Sequence, residues 1–261
     1  MTSIAYIILI IVLSNLVVGT LIGISGIAGF LLPLIYVGVL NIPLRNSLAL
    51  SFISFLVGGI FGTYSYWKLG NINMKFAKLI SIGSIIGAIV GVRLNMLIPA
   101  DTAKLVLYIV VLLSGISILL RKNSDDQKHK EPEISKILQK PLPVIIIGFI
   151  TAAICSLTGA GGPILVVPLL TILGMNIKVA VGVGIFNQIF IALPSSLGYL
   201  INSNYEEMTI LIISSLIAHI MGVIFGARIS DKINLSLLRK IVSVISITSA
   251  LYMLISSLAL K

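Results

Sequence analysis

The stretch Thr158-Gly159-Ala160-Gly161-Gly162-Pro163-Ile164-Leu165-Val166-Val167-Pro168 interrupts a long apolar region, and Gly23-Ile24-Ser25-Gly26-Ile27-Ala28-Gly29-Phe30-Leu31-Leu32-Pro33 does the same in the first half of the chain. Inside a helix, glycine costs about 1 kcal/mol and proline about 3 kcal/mol relative to alanine, so both stretches break helices. Each break lies within hydrophobic sequence. At membrane depth, backbone freed from a helix is tolerated only against protein or a water-filled cavity. The pair therefore predicts two interruptions inside a bilayer that open on a cavity. The half-helix starting after each break would point N–H groups of partial positive charge into that space, an arrangement suited to an anion.

Composition makes the bilayer the natural setting. Of 261 residues, 58% are hydrophobic and 10% charged, with mean hydropathy +1.16, whereas an average soluble domain carries about 25% charged residues. Eighteen Lys+Arg and 8 Asp+Glu cannot clothe a soluble protein of this size, which excludes a soluble enzyme and a nucleic-acid-binding protein. The net charge of +10 reads as basic loops facing the anionic cytoplasmic leaflet. The single cysteine, Cys155, excludes an intrachain disulfide and reads as a small packing residue in an apolar run.

Runs close to the ~20 residues that a helix needs to cross a bilayer are Ile4–Ile22, Ser47–Trp67, Phe76–Ile98 and Thr102–Leu120, then Leu142–Leu157, Val179–Ile201, Met208–Ile229 and Leu237–Leu260. Phe30–Leu40 and Ile164–Leu173 are half-length pieces that follow the breaks, either re-entrant half-helices or the second parts of broken helices. Ile4–Ile22 is expected to be a retained span, because no charged segment precedes it and no small-residue cleavage site follows. The expectation is an all-α integral membrane protein of the cell membrane with about eight transmembrane helices. It divides into a first repeat over 1–121, a polar linker over 122–140 and a second repeat over 141–261. The linker region, Arg121–Lys140, carries Lys128, Lys130, Lys136 and Lys140 among Asp125, Asp126, Glu131 and Glu133.

The duplication is visible in a 135-residue register. It pairs Gly26 with Gly161, Pro33 with Pro168, Asn41 with Asn176, Tyr64 with Tyr199, Gly87 with Gly222, Gly91 with Gly226 and Arg93 with Arg228. Repeats in a helical membrane protein point to a transporter with its substrate near mid-membrane, where discontinuous helices meet. The segments between the third and fourth spans are basic in both halves (Arg93 and Lys104; Arg228, Lys232, Arg239 and Lys240). They favour two parallel four-span repeats with the linker outside. Five crossings per half would make the repeats inverted, and Glu206 and Glu207, opposite Lys68, Lys75 and Lys78 in the register, keep that alternative open.

Candidate substrate-binding residues follow from the breaks. Gly26, Gly29, Gly159, Gly161 and Gly162 shape the backbone with Pro33 and Pro168, while Ser25, Ser156 and Thr158 supply hydroxyl donors. Asn187 and Gln188, in the middle of a span ahead of Pro194, line the path. His219 also lies mid-span and is read two ways: a neutral imidazole bonded to a neighbouring helix, or a proton-coupling group. Gly83, Gly87 and Gly91, with Ala218, Gly222 and Gly226, lay small residues along one helix face for close packing. Arg93 and Arg228, two residues after each stripe, are expected to snorkel to the cytoplasmic interface, with anion attraction at the inner mouth as their second reading. No Gly-x-Ser-x-Gly, Walker A or His-Glu-x-x-His motif occurs and there are two histidines, so no enzyme chemistry, cofactor or metal is expected.

The glycine-rich segments running into apolar sequence and proline (Gly26 to Pro33; Gly159 to Pro168), with Gly87-Ala88-Ile89-Val90-Gly91-Val92-Arg93 repeated as Gly222-Val223-Ile224-Phe225-Gly226-Ala227-Arg228, resemble the TauE/SafE family of sulfite exporters over nearly the whole chain. The resemblance implies secondary transport of a sulfur-containing anion such as sulfite or a small organosulfonate. The expected function is a permease that moves a small anion by alternating access. A passive anion channel and a non-transporting membrane scaffold are the competing readings. The expected partners are the anion and the lipid bilayer, with a coupling proton or ion and a second copy of the chain as further candidates, and no nucleic acid.

Overall fold

The computed structural model describes residues 4–26, 28–120, 136–202, 205–233 and 235–259. These residues are helical, with no strand among them. In chain order the helices are α1 (Ile4–Ser25), α2 (Leu31–Gly38), α3 (Leu44–Lys68), α4 (Met74–Leu97), α5 (Ala100–Leu120), α6 (Lys136–Gln139), α7 (Pro141–Thr158), α8 (Pro163–Ile172), α9 (Ile177–Ile201), α10 (Tyr205–Ile229) and α11 (Leu235–Ala259). Their ends have local causes. Asn73 and Asn176 cap α4 and α9 by accepting from the N–H groups of Phe76 (3.1 Å) and Lys178 (2.9 Å), which satisfies donors that a helix start leaves unpaired. Pro141 and Pro163 open α7 and α8, where a missing N–H is harmless.

Among the described residues, seven helices (α1, α3, α4, α5, α7, α9 and α10) are long and apolar enough to cross a membrane, while α11 contains a shorter apolar stretch, Lys240–Ser256. The two half-span pieces are separate helices, α2 and α8. Of the polar linker, residues 121–135 lie outside the described residues, among them Lys128, Lys130, Asp125, Asp126, Glu131 and Glu133, and Lys136 begins the single-turn α6.

The radial distribution suits lipid. Leu9, Leu13 and Val17 on α1, Ile82, Ile86 and Ile89 on α4, and Ile213, Ile217 and Met221 on α10 are exposed, while Ser51 and Ser54 of α3 and Ser81 and Ser84 of α4 are buried. Each of these hydroxyls donates to the carbonyl four residues earlier, at 2.7 to 3.1 Å, so its burial leaves no unpaired donor.

The glycine stripes bring helices into backbone contact. Gly83, Gly87 and Gly91 of α4 face the carbonyls of Ile145, Phe149 and Ala153 on α7, and Gly222 and Gly226 of α10 face those of Leu16 and Thr20 on α1. Numbers rise together in both pairs, so α4 runs parallel to α7 and α1 parallel to α10. At the centre α3 crosses α9: Gly62 packs on Ile185 and Gly59 on Ile189, while Phe55 accepts from Gln188. Here the numbers run in opposite senses, so α3 and α9 are antiparallel. Contacts of α4 with α9 (Ser81 to Asn187, Val92 to Gly198) are again parallel, and α3 follows α10 and α1, with Gly58 on His219 and Tyr66 on Gly23.

One set of helices (α1, α3, α10) therefore runs from a first face to a second, and the other (α4, α7, α9) runs back. The segments paired by the 135-residue register (α1 with α7, α3 with α9, α4 with α10) are antiparallel, against the parallel arrangement favoured by the basic loops. The reason is α2 and α8, which carry the chain back across the molecule, so that α1 and α3 run the same way, as do α7 and α9. Two further expectations change with it. Arg93, near the end of α4, is at the first face and Arg228, at the end of α10, at the second, so they share no interface. The start of α7, and with it the described end of the linker, lies on the same face as Lys68, Lys75 and Arg228.

Candidate functional site

Gly26 (φ +71°) ends α1 and Gly159 (φ +74°) ends α7, both in the left-handed region that favours glycine. Gly161 (φ +76°) turns the chain once more before α8. From these ends both segments run inward. Gly29, ahead of α2, meets Ala160 and Gly161, ahead of α8: a Cβ built on Gly161 would sit 3.5 Å from Gly29 Cα and 3.6 Å from Phe55 Cε2, and one on Gly29 would sit 3.4 Å from the Ala160 carbonyl oxygen. Phe55 is near the middle of α3, so the two breaks touch at mid-depth. From there α2 runs to the first face and α8 to the second, with their N-terminal ends toward each other. At the start of α2 the Leu31 and Leu32 N–H groups turn back to the Ala28 and Gly29 carbonyls at 3.1 Å and Pro33 has no N–H, so what the two helix starts aim at one point is the positive end of each helix dipole.

Gln188 joins this point. Gly162 lies against it, with a Cβ there 3.2 Å from Gln188 Cα, and its Nε2 donates to the Phe55 carbonyl at 2.8 Å, leaving its buried Oε1 without a partner. Asn187, one residue earlier, turns to α4, where its Oδ1 lies 3.0 Å from the Ser81 hydroxyl, whose proton it shares with the Ala77 carbonyl, and its buried Nδ2 has no partner. The structure thus gathers Gly29, Gly161, Gly162 and Gln188 at one point and sends Asn187 to another helix interface. Gly26 packs on Pro163 and Val181, Gly159 on Pro33 and Leu48, and Pro168 sits within α8, away from the contact.

The hydroxyls differ from expectation. Ser25 donates to the Leu21 carbonyl at 2.9 Å and Thr158 to that of Ile154 at 2.8 Å, so both protons are engaged by their own helices and the oxygens offer lone pairs. Ser156 meets Ser195 Oγ at 2.8 Å. The cavity expected at the breaks is likewise filled: Ser25, Ser156, Thr158, Gln188 and Asn187 are buried by protein, and Phe55 closes over both glycines. A cavity of about 380 Å³ lies elsewhere, between α9 and α10, lined by apolar residues such as Leu200 and Ile212.

His219 lies one layer beyond Phe55, with ring centroids 6.0 Å apart and its imidazole against Gly58. It is buried, and its polar neighbour is the Asn15 backbone of α1, although neither nitrogen makes a bond of full hydrogen-bond geometry. Arg93 and Arg228 are exposed. The sequence reading missed Phe55, the ring on which both breaks pack, and two tyrosines that hold the helix ends. Tyr66 OH donates to the Gly23 carbonyl at 2.9 Å at the end of α1, and Tyr199 OH to that of Ser156 at 2.7 Å at the end of α7. A phenylalanine in an apolar run carries no signal of such a place. Among the described residues, no cluster of His, Cys, Asp or Glu could hold a metal ion.

Two broken helices meeting inside a bundle of apolar spans accord with the family to which the sequence leads: the model for sulfite exporter TauE/SafE matches residues 7–253. The chain belongs to the TauE/SafE family. Like other members it is a multi-pass integral membrane protein of a transporter family, and not an enzyme. This TauE/SafE chain is 26% identical to the probable membrane transporter protein YjnA of Bacillus subtilis, over 92% of this chain and 97% of that one. It is 25% identical to YdhB of the same organism, also named a probable membrane transporter protein, over 85% and 90%. It is 27% identical to the probable membrane transporter protein MJ0441 of Methanocaldococcus jannaschii, over 92% and 91%. No solved structure matches.

Proposed function

We propose that this chain is a secondary transporter of a small anion, sulfite or a related sulfur-containing anion, working by alternating access about the meeting point of the two breaks. The observation that carries the reading is the contact of Gly29 with Gly161 at mid-depth, with α2 and α8 starting on either side of it. Two helix starts facing one point supply positive potential without a buried cation, which suits an anion that must also leave. Gln188 and the backbone of Gly29, Gly161 and Gly162 form the site, Gly26 and Gly159 end the helices that lead to it, with Ser25, Ser156 and Thr158 at its edges, and Asn187 lines the path at the α4 interface.

Inverted repeats over 1–121 and 141–261, with α11 as the eighth full span, supply the two-sided machinery such transport needs. Their support is the antiparallel crossing of α3 and α9 and the reciprocal pairing of α1 with α10 and α4 with α7. The closed packing around the site corresponds to an occluded conformer.

The test is uptake of labelled sulfite into proteoliposomes, with sulfate, thiosulfate and a sulfonate as competitors, with and without a pH gradient. Saturable flux, inhibited by one of these anions, is expected. Non-saturating flux would make the protein a passive channel, and no flux with any sulfur anion would overturn the substrate reading in favour of another cargo or a scaffold. Gradient dependence would assign coupling to His219, and His219→Gln should then retain saturable flux without the dependence.

A further inference from the structure

Before reaching the half-helix starts, an anion must pass the C-terminal end of α1 from the second face or of α7 from the first. These ends carry orphan carbonyls and negative potential, which repel it. Both ends are treated alike. Tyr66 OH donates to Gly23 O of α1 and Tyr199 OH to Ser156 O of α7. Beside each tyrosine stands one cation from the first turn of a central helix.

At the first face, Arg45 of α3 is half-buried. Its Nη2 donates to the Met96 carbonyl at 3.3 Å, next to Asn95, whose Nδ2 donates to the Leu157 carbonyl of α7 at 2.7 Å. Three residues on from Arg45, Leu48 packs on Gly159. At the second face, Lys178 of α9 lines a small cavity with Ile24, Tyr66, Val181 and Ser230, and three residues on, Val181 packs on Gly26. The two constellations correspond residue for residue. Arg45 and Lys178, Leu48 and Val181, Tyr66 and Tyr199, and Gly26 and Gly159 are each 133 residues apart, as are the starts of α3 and α9.

We propose that Arg45 and Lys178 are the anion-capture residues of the two mouths, each drawing the substrate past one tyrosine-capped helix end toward the central site. The inference rests on the transport reading above and adds residues and a sidedness to it. Each cation offsets the negative end of the helix it overlooks, and their exchange of roles as the halves rock would admit an anion from one face at a time.

The test measures initial rates of labelled sulfite transport in right-side-out and everted membrane vesicles containing the full chain. Lys178→Gln should raise KM by about tenfold from one side and leave the other within about twofold, and Arg45→Gln should do the converse. Lys178→Arg and Arg45→Lys should stay close to wild type on both sides. Equal KM values for the neutral variants and wild type on both sides would overturn the proposal. So would charge-keeping variants as impaired as the neutral ones, since that would make the residues structural. Saturable wild-type flux establishes the transport reading independently of these variants, and its absence would remove both.

Discussion

Gly161 holds φ +76°, where a side chain costs about 1–2 kcal/mol. The neighbouring space is another matter, since a Cβ there would meet nothing closer than Gly29 Cα at 3.5 Å. Alanine therefore meets strain without collision, while leucine must displace the opposite break or the Phe55 ring. Gly161→Ala should fold with a lowered Tm and reduced flux, and Gly161→Leu should remain in the membrane with flux abolished. Thermal unfolding in detergent and sulfite flux, measured on the same preparations, check both, and normal flux in Gly161→Leu would remove the break from the site. Gln188 tests the other wall. Gln188→Leu removes the side-chain bond to the Phe55 carbonyl, which keeps its partner within α3, a loss of about 0.5–1.5 kcal/mol. A lower Tm accompanied by a raised KM is expected. A lower Tm with unchanged KM would make Gln188 a structural strut.

Between elements, the glycine stripes decide how closely the helices approach. Gly87 faces the Phe149 carbonyl on α7, and Gly222 faces the Leu16 carbonyl on α1, so no side chain fits without separating the pair. Gly87→Leu and Gly222→Leu should each lower stability by about 1–3 kcal/mol or more, read as earlier thermal unfolding and less folded protein in the membrane. A stable Gly87→Leu protein would mean that α4 and α7 do not meet backbone to backbone. These stripes were legible in the sequence because small residues four apart have one geometric use in a bilayer. The breaks were legible too, since the preferences of glycine and proline are local. The register was only partly so. Gly87 and Gly222 are 135 residues apart, as expected, but Ser25 and Thr158, which bond back to Leu21 and Ile154, are 133 apart. The stretch from α3 to α4 is therefore two residues shorter than its counterpart from α9 to α10 (Tyr66 to Gly87 against Tyr199 to Gly222), a shift that a search at one fixed offset averages away. The site residues themselves were readable as types, but which of Asn187 and Gln188 faces the breaks depends on the rotation of α9, and the sequence pattern does not set it.

For the whole molecule, direction follows from whether α2 and α8 turn the chain back, and hydrophobic length alone is silent on that. Once they do, charge becomes informative. Lys68, Lys75 and Lys78 flank the α3–α4 connection, Lys140 precedes α7, Lys178 begins α9, and Arg228, Lys232 and Lys240 flank the α10–α11 connection, all at the second face. The first face has Arg45, Arg93 and Lys104, the last 3.6 Å from Asp101. Tyr64, Trp67 and Lys68, with the Lys68 ammonium 4.7 Å from the Tyr64 ring centre, form an interfacial cluster at the basic end. By the positive-inside rule, the face expected in the cytoplasm is the second. Asp101 follows α4 and Lys232 follows α10, so parallel repeats would put both on one side of the membrane and inverted repeats on opposite sides. Asp101→Cys should react with a membrane-impermeant maleimide added outside intact cells, and Lys232→Cys only after the membrane is opened. Cys155 is buried and should stay silent in the parent protein. Labelling of both variants from the same side would contradict the antiparallel crossing of α3 and α9, and with it the two-sided arrangement on which alternating access at the Gly29–Gly161 contact depends.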